Sequence, residues 1–154
     1  MGLTSFGPWQ LSLDAEATRL AYSAVPLGSA EDCTCDDCRN WVKVRLKTLP
    51  QDILDFFASA GIDPAKELDV TEYEAGSIVD GRKLYIAEYA FIAQLIDGPK
   101  VYIPHSDGNG YSVELIPWHD GDYVGVDHWT TFPLPLSFAP EQSLVLTYQT
   151  YVYS

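Results

Sequence analysis

Arg82-Lys83-Leu84-Tyr85-Ile86-Ala87-Glu88-Tyr89-Ala90-Phe91-Ile92-Ala93-Gln94-Leu95-Ile96 is the stretch on which the fold turns. Its three alanines would tolerate a helix. Its Tyr, Phe and Ile residues instead suit a pleated, half-buried surface, and Gly81 and Gly98 bracket it as turn residues. A long strand over Arg82–Ile96 is therefore expected.

Towards the C-terminus the same signals repeat. Val101–Pro104 and Tyr111–Pro117 flank Asp107-Gly108-Asn109-Gly110, a hairpin loop. His119-Asp120-Gly121-Asp122 is a second turn. Tyr123–Val126, Phe132–Phe138 and Leu144–Tyr153 complete the strands, with Pro133, Pro135 and Pro140 confining the middle one to an edge. Towards the N-terminus, Leu68–Glu74 alternates and the segment from Gly76 to Gly81 turns. Trp9-Gln10-Leu11-Ser12-Leu13 has period two, and Thr18–Val25 reads as its extended hairpin partner, closed by Pro26 and Gly28.

Residues 33–61 differ. Thr34 with Asp37 has capping-box spacing. Asp36 and Asp37 fall in a first helical turn, and Lys43, Arg45 and Lys47 in a last one, as the macrodipole favours. Pro50 opens a second helix, in which Ile53, Phe56, Phe57 and Ala60 make one apolar stripe. Gly61 stops it and Asp63-Pro64 turns the chain. The expected fold is α+β: one domain over 1–154, an antiparallel β-rich sheet or sandwich carrying a two-helix insertion.

Composition bounds the function. The chain has 154 residues, 47% of them hydrophobic and 20% charged, enough apolar content for a folded core. A net charge of −13 argues against nucleic acid and anionic membranes, which are bound through Lys and Arg. It suits solubility, or a basic protein partner. No apolar run approaches the roughly 20 residues of a membrane span. Met1–Phe6 has neither a basic n-region nor an apolar h-region, so a cytoplasmic setting is expected. There, cysteines serve as thiols, metal ligands or redox groups rather than structural disulfides.

All three cysteines lie in Cys33-Thr34-Cys35-Asp36-Asp37-Cys38, a concentration that has a cause. Three readings compete. Three thiolates suit Zn²⁺, with His119 as the fourth ligand or His105 or His128 in its place. Alternatively, Cys35 and Cys38 near a helix N-terminus beside Arg39 form a redox pair that Cys33 resolves, although Asp36 and Asp37 oppose thiolate formation. Finally, Cys35 and Cys38 share a helix face with Trp41 or Val42 and suit plain core packing.

The segment Cys-x-Cys-x-x-Cys-Arg-Asn-Trp at 33–41, followed by Leu49-Pro50, Gly61-Ile62-Asp63-Pro64 and Val70–Glu74, resembles an uncharacterised family of small bacterial proteins. The resemblance covers roughly residues 31–95. It implies a bacterial cytoplasmic origin and a cysteine motif that acts as a unit, and carries no activity or cofactor. Leu49-Pro50-Gln51-Asp52 with Leu54, Phe56 and Phe57 also looks like a helix opening of acidic toxin-immunity proteins, which implies an inhibitor of a basic toxin.

Other constellations have plainer explanations. His105, Asp107, His119, Asp120, Asp122, Asp127 and His128 offer imidazole and carboxylate, yet Asp and Gly are also what turns require. Asp107-x-Asn109 begins like a calcium loop, but Trp118 stands where the closing Glu belongs. Glu72, Glu74 and Glu88 offer a cross-strand carboxylate pair, or simply an outer strand face. Nucleophile-elbow, phosphate-loop and dinucleotide fingerprints are missing. The reading is a small acidic binding or accessory protein, non-catalytic, with a structural cysteine cluster in the core or on zinc.

Overall fold

The Arg82–Ile96 run is extended, as its aromatic and β-branched content requires. The computed structural model describes residues 2–73, 81–128 and 134–153. In chain order it contains β1 (Leu3–Phe6), β2 (Trp9–Leu13), α1 (Ala15–Ser23), α2 (Ser29–Asp32), α3 (Asp36–Thr48), α4 (Gln51–Ala60), β3 (Asp69–Tyr73) and β4 (Arg82–Asp97). There follow β5 (Tyr102–Pro104), β6 (Tyr111–Val113), β7 (Ile116–Pro117), β8 (Tyr123–Asp127), a 3₁₀ turn over Pro140–Gln142 and β9 (Ser143–Tyr153). The architecture is α+β. An antiparallel sheet runs β1-β2-β4-β9-β8-β7, with β3 also on β4, and β5 and β6 form a separate two-stranded ribbon. Among the described residues no helix is long and apolar enough to cross a membrane.

β4 organises the molecule. One edge pairs with β9 from Arg82↔Tyr153 to Ile92↔Ser143. The other edge is shared: β3 covers Leu84–Glu88 and β2 covers Ala93–Asp97. Between them, among the described residues, this edge of β4 has no strand partner, and α1 covers it through side chains. The Ile92 amide donates to Thr18 Oγ1 at 2.9 Å, and Tyr22 Oη donates to the Ala90 carbonyl at 2.6 Å. The Asp14 amide donates to the Ile92 carbonyl at 3.1 Å. Buried backbone groups are thereby paired, as folding demands.

Alternation along β4 gives each face a character. Tyr85, Ala87, Tyr89 and Phe91 face the helices and are buried. Trp41 of α3 stacks on Tyr85 at 5.9 Å between centroids, Phe57 of α4 lies 4.7 Å from Tyr89, and Phe56 meets Phe91 edge-on at 5.8 Å. Such pairs add about 0.5–1.5 kcal/mol each beyond their buried area. Ile86 and Glu88 point to the opposite face, under the β5–β6 ribbon.

The structure corrects several sequence readings. Thr18–Val25 is not a strand: residues 18–23 belong to α1, and the hairpin partner of β2 is β1. Asp14 caps α1 by accepting from the Ala17 amide, and Thr18, Ala21 and Tyr22 form its buried i, i+3, i+4 face. The two expected helices are α3 and α4, joined in the insertion by α1 and α2. Cys35, not Thr34, caps α3, which starts one turn position later than the capping box implied. Residues 134–138 are a loop, and Pro135 has no amide N–H to donate to a sheet ladder. Phe138 of this loop is buried against Tyr22. The Gly76 end of the expected turn, Glu74, and residues 132–133 of the expected edge strand lie outside the described residues.

Candidate metal centre

The three cysteines straddle the α2–α3 junction. Cys33 closes α2, its amide donating to the Ser29 carbonyl at 3.0 Å. Two extended residues later Cys35 caps α3, its Sγ accepting from the Cys38 amide at 3.4 Å. Cys38 lies in the first turn of α3. This turn back between two helices brings the sulfurs together. The Cys33 thiol donates to Cys35 Sγ at 3.2 Å, and the Cys35 amide donates to Cys33 Sγ at 3.5 Å. All three ligand atoms lie within 4.8 Å of one another. The cluster is thus positioned to bind a metal ion.

Its surroundings are rigid on one side and open on the other. Tyr85 Oη donates to the Asp37 carbonyl at 3.2 Å, Lys83 Nζ pairs with Asp37 Oδ1 at 3.2 Å, and Asn40 Nδ2 donates to the Tyr153 carbonyl at 2.9 Å. These contacts hold the start of α3 to β4 and β9. Cys38 is half-buried and packs against the core, whereas Cys33 and Cys35 are exposed. The packed-core reading therefore describes Cys38 alone. The Cys38 amide lowers the pKa of the Cys35 thiol, helped by thiol hydrogen bonds from Cys33 and Cys38. Burial, followed by its thiol hydrogen bonds, pushes the Cys38 thiol up. The cap position thus favours the charged form at Cys35, and burial opposes it at Cys38.

The histidines lie elsewhere. Among the described residues no His, Asp or Glu ligand atom joins the three sulfurs. His119 Nε2 lies 3.0 Å from Asp52 Oδ2, at the start of α4. Asp52 also accepts from Trp118 Nε1 at 3.1 Å, and the His119 amide donates to Asp122. His119 thus joins the β7–β8 turn to α4, and its hydrogen bond to Asp52 raises its pKa. His105 is held inside the β5–β6 hairpin by the Asn109 carbonyl and Ser112 Oγ. His128, just past β8, is exposed. The local sequence carried no sign of these partners, since each contact crosses dozens of residues or depends on hairpin register.

Other groups take structural places. Asp127 is buried and accepts from the amides of Val101 and Tyr102 at 2.9 and 3.1 Å, anchoring the ribbon to β8. Glu67, which no motif marked, is 2% exposed and accepts from the Ala30 amide, from Trp41 Nε1 and from Arg45, itself 6% exposed. Arg45, in the last turn of α3, is also a buried partner of Glu67 and Glu31. Glu72 stands opposite Tyr85, on the helix side of β3, and Glu88 stands opposite Asp69, so Glu72 and Glu88 do not pair.

Fold and site define an α+β protein with a three-thiol cluster disposed to hold a metal. Comparison with known family models, curated proteins and solved structures finds no match to this chain.

Proposed function

We propose that this chain is a non-catalytic binding or accessory protein whose Cys33, Cys35 and Cys38 hold Zn²⁺ at the α2–α3 junction. The carrying observation is the convergence of three sulfurs within 4.8 Å on a solvent-accessible turn. Zinc binds thiolate at about 2.3 Å, and sulfurs around one tetrahedral ion lie close together. The Cys38 amide donates to Cys35 Sγ and favours there the charged form the metal needs. Water or a donor outside this cluster takes the fourth position. When bound, the ion would tie the end of α2 to the start of α3, in line with the motif acting as a unit in the bacterial family it resembles.

The test is elemental analysis of protein purified without chelator. About one zinc per chain is expected, with loss of the metal and a lower melting temperature in the C33S/C35S/C38S variant. Less than about 0.1 equivalent, with an unchanged melt in that variant, overturns the reading.

A second reading has its own support: the exposed Cys33 and Cys35 sulfurs are 3.2 Å apart. In it, Cys35 thiolate attacks a substrate disulfide and releases one thiol. Cys33 then displaces the second, leaving Cys33–Cys35 oxidised and the substrate reduced. Alkylation of native protein well below pH 8 favours this reading, and labelling only after denaturation removes it.

A further inference from the structure

We propose that the cleft beneath the β5–β6 ribbon, on the sheet face away from the helices, binds a small organic amine, its ammonium group seated between Glu88 and Asp69. The proposal is independent of the thiol cluster. The cleft encloses about 480 Å³, within the range of small-molecule sites. β3 and β4 form its floor and the ribbon one wall. Its aromatic lining is Tyr73, Tyr102, Tyr111 and Tyr123. Tyr102 and Tyr111 meet edge-on at 5.5 Å, and Tyr102 Oη is fixed by Thr147 Oγ1 at 3.2 Å and Glu88 Oε2 at 3.4 Å. The ring wall is therefore prepared in advance.

Charge decides the class of ligand. Glu88 and Asp69 are directly opposite each other across the β3–β4 register and both line the cleft. Like charges in that relation are unfavourable. Among the described residues lining the cleft there is no Lys, Arg or His to relieve them. Burial, with the charge of Asp69 added, pushes Glu88 up to about 7, against the pull of the Tyr102 hydrogen bond. A ligand cation supplies the missing countercharge. The tyrosine faces reinforce the choice, because ring faces attract cations and accept an apolar body. A bare metal ion is less suited, since two carboxylates do not make a ligand group of three in this cleft.

The test is calorimetric titration of the full chain with phenethylammonium, beside its neutral isostere 2-phenylethanol and glucose. Saturable 1:1 binding of the ammonium, at least about tenfold tighter than either neutral probe, is expected. Glu88→Gln and Asp69→Asn should each weaken the ammonium by about tenfold and leave 2-phenylethanol unchanged. Near-UV circular dichroism confirms the fold of each variant, and the comparison of probes on the unaltered protein needs no variant. Absence of saturable ammonium binding, equal or tighter binding of the alcohol or glucose, or undiminished binding in folded Glu88→Gln overturns the proposal.

Discussion

Thr18 shows how one hydroxyl stands in for a strand. It is fully buried, and its Oγ1 accepts the Ile92 amide in the gap between β2 and β3. Thr18→Val keeps the shape but leaves that amide unpaired in the interior. A loss of about 1–3 kcal/mol is expected, read from the urea midpoint at unchanged m. Glu67 is the matching case for charge. Burial raises its pKa and Arg45 pulls it back down. Glu67→Ala removes the acceptor for Ala30, Trp41 and Arg45 together, so a loss of about 3 kcal/mol or more is expected in the same measurement. A double variant replacing Arg45 and Glu67 by apolar residues should recover much of it, since the buried cation then goes too.

At the scale of elements, the insertion is held by its ends. α4 stops at Gly61, whose φ of 82° is left-handed. A Cβ there would lie 2.3 Å from the Ala15 carbonyl, where α1 begins. Gly61→Ala therefore strains the backbone and separates α1 from α4, and should lower stability by about 1–3 kcal/mol in thermal or denaturant unfolding. The other end of α4 is joined to the β7–β8 turn by the Asp52–His119 contact. Because His119 is raised in the folded state, its contribution is complete below its unfolded pKa and fades as pH rises through the folded one. Both partners are about half exposed, so the effect is small.

At the scale of the whole molecule, charge is the principal tension. Glu88 is an acid with a raised folded pKa, the reverse of the common case. Between its unfolded value and about 7 the folded state holds more proton than the unfolded state, so stability falls as pH rises through that window. Glu88→Gln should flatten this part of a melting-temperature-against-pH curve and raise the melt at pH 8. A slope unchanged by the substitution would show that Glu88 is not its source. Net −13 adds self-repulsion, so added salt should raise the melt of the unaltered protein.

The elements legible in the sequence were those whose signals are local. Arg82–Ile96 announced a strand by its aromatics and bracketing glycines, and α4 by one apolar stripe and a terminal Gly. Cys33, Cys35 and Cys38 stood out by spacing alone, and a tight turn of backbone was enough to bring them together. Thr18–Val25 misled because β-branched and aromatic residues also pack on a helix face when a sheet edge needs covering. Glu67 and Asp69 carried no local mark, while Asp127 and Glu88 stood out only as members of a turn-rich cluster and of a carboxylate pair with other partners. Their meaning arises from strand register and from contacts between distant segments, which place a carboxylate either in water or beside a buried donor. Sequence by itself therefore determined which residues could make helix, strand and thiol turn. Tertiary structure alone decided which polar groups lost their water, and so which of them had to find partners.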